Sequence, residues 1–235
     1  MKLNELSQRI LTAVIIAPIF IFFSYLGGSF LYFLLIIIFV SSIIELNKLG
    51  KSHKDKFKNY LIILLFLFSL NYVRGTTDQE FIVFLWITIS IFLSDIGGYI
   101  FGKIFKGKKL TKISPNKTYS GSIGSLLLSF LSIPIVNQIS INFLNSQIIF
   151  DLSLVNLLLV MSFSIFCQVG DLYFSFLKRK FSVKDTGKLL PGHGGILDRI
   201  DGMIFVFIFS LVLDRKSTRL NSSHRCISYA VFCLK

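Results

Sequence analysis

Charge, cysteine and proline are all scarce in this chain. Charged residues fill 16% of its 235 positions, and only 12 residues are acidic. Soluble domains carry roughly 25% charged residues, so this chain has too little polar surface to cover itself in water. Its three cysteines (Cys167, Cys226, Cys233) are an odd count without metal-ligand spacing, which excludes a disulfide scaffold and supplies no redox argument. Four prolines make no Pro-rich linker, and internal repeats and heptads are absent. Collagen-like and disordered classes are excluded on composition. No cleavable signal peptide is expected, because the first apolar run, 10–26, lacks a small-residue cleavage site and leads at once into a second run.

What the chain has instead is hydrophobicity: 53% apolar residues, 26 phenylalanines and a mean hydropathy of +0.72. A helix crossing ~30 Å of hydrocarbon needs about 20 apolar residues. The runs 10–26, 29–46, 81–101, 122–144 and 148–170 suit that length, and 60–73 and 203–213 are shorter. The expected fold is all-α, a polytopic transmembrane helix bundle of about seven spans with the last one truncated.

Charge parity decides the short 60–73 run. Nineteen basic residues fall in the N-terminus and the segments 47–59, 102–121 and 171–201, while the three alternate loops hold one, Arg74. If 60–73 crosses, all nineteen lie on one side, as the positive-inside rule requires. The N-terminus is therefore expected in the cytoplasm. The chain is read as multi-pass in the cell inner (cytoplasmic) membrane, with its polar chemistry facing the cytoplasm. The net charge of +13 then reports topology and gives no sign of nucleic acid.

The last run stops at Asp214-Arg215-Lys216. Residues 215–235 hold five basic residues, no acidic one and two of the three cysteines, with no helical apolar stripe. They look like translated adaptor or vector sequence; a genuine polar tail is the other reading. The expected organisation is a single membrane-embedded domain over 1–214 and a non-native tail at 215–235, without which the net charge falls to +8.

The densest polar stretch is 175–201, SFLKRKFSVKDTGKLLPGHGGILDRID. Topology explains its lysines but not its acids and glycines. Asp198 and Asp201 stand at i,i+3, on one face of a helix entering the seventh span. Asp171 sits at the edge of the preceding span. Carboxylates at the end of an apolar helix are costly unless paired or holding a cation, and hard oxygen ligands among basic residues suit Mg²⁺ shared with phosphates. Pro191-Gly192-His193-Gly194-Gly195 reads as a backbone anion cradle before a helix N-terminus, or as a plain tight turn. Two further stretches are polar: SDIGGYIFG at 94–102, where Asp95 interrupts an apolar span, and ISPNKTYSGSIG at 113–124, where Lys117 could meet a phosphate. The glycines of the first also suit close helix packing. Gly102 to Lys109 fails as a P-loop because a lysine stands where Ser or Thr is needed. The Asn116-Lys117-Thr118 sequon lies on the predicted cytoplasmic side.

Across 175–201 the chain resembles the phosphatidate cytidylyltransferase, or CDP-diacylglycerol synthase, family. Ser175, Lys178, Arg179, Lys184, Asp185, Gly187, Pro191, Gly192, His193, Gly194, Gly195, Asp198, Arg199 and Asp201 fit its signature. Asp95-Ile96-Gly97-Gly98-Tyr99, Ser114 to Tyr119 and Gln168 to Leu172 look like its upstream motifs. Ser120 and Phe174 depart from it, standing where many members have glutamate, so no acid is carried over there.

The resemblance implies transfer of the cytidylyl group of CTP to phosphatidate, giving CDP-diacylglycerol and pyrophosphate. It implies Lys184, Asp185, Lys188, His193 and Arg199 as the catalytic set, and Lys117, Lys178, Arg179, Gly194 and Gly195 as phosphate binders. Asp171, Asp198 and Asp201 would hold Mg²⁺, with Asp95 a further metal or structural partner and room for a second cation. The expected partners are CTP, phosphatidate and the bilayer, with a homodimer left open. A CTP-dependent lipid or polyprenol kinase and a cation transporter are the alternative readings.

Overall fold

With no water in the hydrocarbon to satisfy backbone groups, an apolar run closes its hydrogen bonds within itself as a helix. The computed structural model describes residues 5–49, 53–111, 113–115, 117–144, 150–183, 185–187, 189 and 194–220, with side chains for those from 15 to 49 and from 56 to 213. The helices are α1 (Glu5–Leu26), α2 (Gly28–Leu49), α3 (His53–Arg74), α4 (Asp78–Phe105), α5 (Tyr119–Ser129), α6 (Ser132–Phe143), α7 (Leu154–Lys180) and α8 (Leu197–Leu220). Counting α5 and α6 as one apolar pass over Tyr119–Phe143, five are long and apolar enough to cross a membrane, and Ile15–Leu26 is a shorter apolar helix. The protein is a polytopic helical membrane bundle.

The expected boundaries shift in three places. The 60–73 run is the apolar part of a 22-residue helix, α3. The 122–144 run is broken at Phe130–Leu131, where Pro134 supplies the reason: its ring lacks an N–H and clashes with the carbonyl four residues back, that of Phe130. The chain passes the break through i−3 bonds, Leu131 N–H to Leu128 and Ile133 N–H to Phe130. The run begun at 148 becomes helical only at Leu154, where the Ser153 hydroxyl accepts the Asn156 N–H as an N-cap. At the other end α8 continues through Leu220; the remainder of the expected tail, 221–235, lies outside the described residues.

Helix α4 is the axis of the core. Ile82, Phe84, Trp86 and Ile87 are fully buried, and Phe84 meets Phe20, Phe81 and Phe207 while Trp86 stacks on Phe150. Its first turn is fixed by a capping box between Thr77 and Glu80. Its last turns pack on α5 through glycines: a Cβ on Gly98 would stand 2.7 Å from Ser125 Oγ, and one on Gly97 would strike the Gly124 carbonyl. These contacts set α4 and α5 backbone to backbone and place Asp95 beside α7.

Arg74, the one basic residue of the alternate loops, is buried. It donates to the carbonyls of Ser24 (2.6 Å) and Tyr25 (2.8 Å) and lies over the Phe81 ring. It closes the C-terminus of α1, whose last carbonyls have no intrahelical partner. Arg74→Gln should lower stability by about 1.5–3 kcal/mol, the range for hydrogen bonds to a charged group. Thermal unfolding in mild detergent measures it, and an unchanged midpoint would dismiss this role.

Candidate active site at the basic end of the bundle

The C-terminal turns of α2, α4 and α7 and the N-terminal turns of α5 and α8 meet at one end of the bundle. Two clusters of polar side chains form there.

The first lies between α4 and α7. Asp95, Cys167 and Asp171 each offer a ligand atom, and these atoms lie within 4.8 Å of one another, the one such group among the described residues. Cys167 and Asp171 are one turn apart on α7, so they share a face. The Cys167 thiol donates to Asp95 Oδ1 at 3.3 Å. Lys117 reaches in from the α4–α5 loop and donates to Asp171 Oδ2 at 2.7 Å. That loop is held by a short bridge: Leu110 N–H to Lys117 O (2.7 Å) and Tyr119 N–H to Lys108 O (3.1 Å). Thr118 then caps α5 by accepting the Gly121 N–H.

Helix α8 is drawn against this cluster by two glycines. A Cβ on Gly170 would strike the Asp201 carbonyl, and one on Gly202 would lie 2.6 Å from Cys167 Sγ and 3.1 Å from Asp171 Oδ1. The Asp201 backbone is thereby set against Gly170, and Asp171 Oδ1 stands beside Gly202. The two carboxylates of this group suit a hard divalent cation, and one of them already draws in a lysine at ion-pair distance.

The second cluster organises the α7–α8 connection. Lys178 donates to Asp198 Oδ1 at 2.7 Å. Asp198 Oδ2 accepts from the Thr186 N–H (2.8 Å), the Thr186 hydroxyl (3.0 Å) and the Gly195 N–H (3.0 Å). Asp198 precedes the apolar run 203–213. Burial works to raise its pKa, but the bonds from Lys178, Thr186 and Gly195 outweigh it and hold the carboxyl below the ordinary aspartate value. Gly194 has φ +83°, and a Cβ there would meet Asp198 Oδ2 at 2.9 Å, so only glycine suits that corner.

Of the expected site residues, Asp95, Asp171 and Lys117 come together, and the Asp201 backbone packs against Gly170 beside them. Asp198 and Lys178 form a pair of their own through Oδ1, with Asp198 Oδ2 taken up by the loop. Arg179, Asp185 and Arg199 are exposed around the rim, and Gly194 and Gly195 lie in the turn. Lys184, Lys188, Pro191, Gly192 and His193 lie outside the described residues. Three residues were not anticipated. Cys167 stands four residues before Asp171, and that spacing was the available signal. Glu45 is a lone acid near the end of an apolar run, the same signal that singled out Asp95. Thr186 carries no such mark.

Residues 59–215 match the model of the cytidylyltransferase family. The chain belongs to that family. Within it, the chain is similar to proteins named phosphatidate cytidylyltransferase. The one from Staphylococcus haemolyticus is 45% identical over 137 residues, covering 57% of this chain and 50% of the relative. The one from Staphylococcus saprophyticus is 41% identical over the same length and shares. The one from Staphylococcus aureus is 43% identical over 124 residues, covering 52% of this chain and 45% of the relative. The matched stretch thus spans about half the length of these curated relatives. The family match takes in Asp95, Lys117, Cys167, Asp171, Lys178, Asp198 and Asp201, and leaves out Glu45.

Proposed function

We propose that the chain transfers the cytidylyl group of CTP to phosphatidate. The observation that carries this reading is the convergence of Asp95 and Asp171 with Lys117 at the bundle end where the α7–α8 connection begins, in a member of the cytidylyltransferase family. An oxygen of the phosphatidate phosphate attacks the α-phosphorus of CTP. The bond from that phosphorus to the bridging oxygen of the β-phosphate breaks, and pyrophosphate leaves with the electron pair.

The phosphate monoester is already a nucleophile near neutral pH, so no strong general base is needed. The obstacle is charge. Two unit charges 4 Å apart repel by about 4 kcal/mol at an effective dielectric constant of 20, and here a dianion meets a triphosphate. Catalysis is then positioning and neutralisation. Asp171 and Asp201, with Asp95 beside them, are the residues that would hold Mg²⁺, which when bound neutralises phosphate oxygens and steadies the leaving pyrophosphate. Lys117 is placed to move from Asp171 to an arriving phosphate. Asp198 keeps Lys178 and the Gly194–Gly195 turn in position, and Arg179 and Arg199 add positive charge at the rim. Asp185 at the rim, and Lys184, Lys188 and His193 in the adjoining segment, join this reading through their motif.

The site faces the cytoplasm of the bacterial inner membrane in this proposal, supported by the nineteen basic residues that share its side. CTP then arrives from water while the lipid stays in the bilayer. Membranes containing the chain should convert CTP and phosphatidate into equal amounts of CDP-diacylglycerol and pyrophosphate, and chelating divalent cations should stop both. Product formed at an undiminished rate in chelator would remove the metal from the proposal.

A further inference from the structure

Helix α2 contributes one carboxylate to this end of the bundle, and it belongs to neither cluster's motif. Glu45 is 1% exposed. Its Oε1 accepts the Ile196 N–H at 2.7 Å; its Oε2 accepts the Leu197 N–H at 3.0 Å and the Thr186 hydroxyl at 2.9 Å. Every one of these partners lies in the α7–α8 connection or the first residue of α8. Among the described residues, no lysine or arginine forms an ion pair with it. A buried carboxylate without a cation is expensive, and here the N-terminal N–H groups of α8 and a hydroxyl satisfy it.

The glycines of the connection are shaped around this side chain. A Cβ on Gly187 would stand 2.9 Å from Glu45 Oε1, and one on Gly195 would strike the Glu45 carboxylate. Two glycines that read as part of an anion cradle thus admit a carboxylate of the protein itself. The Thr186 hydroxyl has one hydrogen and faces two acceptors, Glu45 Oε2 and Asp198 Oδ2. Glu45, Thr186, Asp198 and Lys178 form one hydrogen-bonded row joining α2, the connection, α8 and α7.

We propose that Glu45 is a positioning residue that ties Thr186–Gly187 and Gly195–Leu197, the described parts of the α7–α8 connection next to it, to α2 and so keeps this side of the site in the shape that receives the CTP triphosphate. The proposal rests on the cytidylyltransferase reading, and it is specific: the nucleotide side of the reaction depends on Glu45 and the lipid side does not. Glu45→Gln keeps the shape but sets an NH₂ against donors, so at least one N–H of the α8 start loses its acceptor.

The test uses the full chain in its membrane. In Glu45→Gln, KM for CTP should rise by at least about 10-fold, the lower end of the effect of removing an outer-shell partner. KM for phosphatidate should stay within about 2-fold, a margin well inside that effect. Trypsin should cut at Lys184 and Lys188 faster than in the wild type. Glu80→Gln, which opens the capping box at the opposite end of α4, is the control for a merely structural defect and should move neither KM. If Glu45→Gln does not accumulate, Thr186→Val removes the shared hydroxyl and should raise KM for CTP alone. Parallel rises in both KM values, an unchanged KM for CTP, or unchanged trypsin cutting would overturn the proposal. A wild-type chain that forms no CDP-diacylglycerol would bring down the cytidylyltransferase reading instead, with the proteolysis then deciding whether Glu45 anchors the segment.

Discussion

Asp171→Asn should cut CDP-diacylglycerol formation by about two to three orders of magnitude, the range seen when one electrostatic contact to a transition state is removed. The side chain sits where three elements meet. It is on the face of α7 that carries Cys167, it accepts Lys117 at 2.7 Å, and it lies beside Gly202 of α8. Asparagine has the same size and is only partly buried there, so the protein should still accumulate in the membrane. What disappears is the charge that holds Lys117 and that would hold the proposed divalent cation. Asp201→Asn should behave alike, because the Asp201 backbone packs on Gly170, the residue before Asp171. The readout is initial rate against Mg²⁺ concentration at wild-type protein level. Near wild-type rates in either variant would remove that residue from the metal site.

The second large effect is structural. Gly97→Ala should destabilise the bundle by about 1–3 kcal/mol or more, the usual cost of overpacking, and should take the activity with it. The new methyl would run into the Gly124 carbonyl, and backbone cannot swing aside as a side chain can. Either α4 or α5 must move. Asp95 is two residues from Gly97 on α4, and Lys117 stands just before α5, so a shift of either helix opens the first cluster. Gly98→Ala is the comparison: its methyl would meet Ser125 Oγ at 2.7 Å, the end of a side chain that can rotate. It should be distinctly milder. Melting temperature and monodispersity in detergent measure both, and equal stability of Gly97→Ala and wild type would refute the backbone contact.

Much of this was legible in the sequence, because a membrane forces the pattern. Apolar run length gave the helices, and the lysines gave the parity that made a span of the 60–73 run. Local rules were weaker. The break at Phe130–Leu131 follows from Pro134, yet Pro18 sits inside an unbroken α1. A proline in an apolar run therefore does not announce which outcome it produces.

The site was legible as a list but not as a grouping. Asp198 and Asp201 share one motif and Asp171 lies in the motif before it, and all three read as Mg²⁺ ligands, with room for a second cation. In the fold, Asp198 turns to Lys178, Thr186 and Gly195, whereas Asp171 turns to Asp95 of α4 and Lys117 of the next loop. Side-chain direction within a helix decides this, and residue spacing alone does not carry it. Glu45 was hidden for a different reason. Its partners lie 141 to 152 residues away, so nothing local marks it as more than an acid near a helix end.

The central claim is cytidylyl transfer, and CTP labelled at both the cytosine ring and the γ-phosphate tests it in one incubation with phosphatidate and Mg²⁺. Transfer of the cytidylyl group puts the cytosine label in the lipid and the γ label in pyrophosphate. Lipid carrying the γ label without cytosine would mean phosphoryl transfer and would contradict the account.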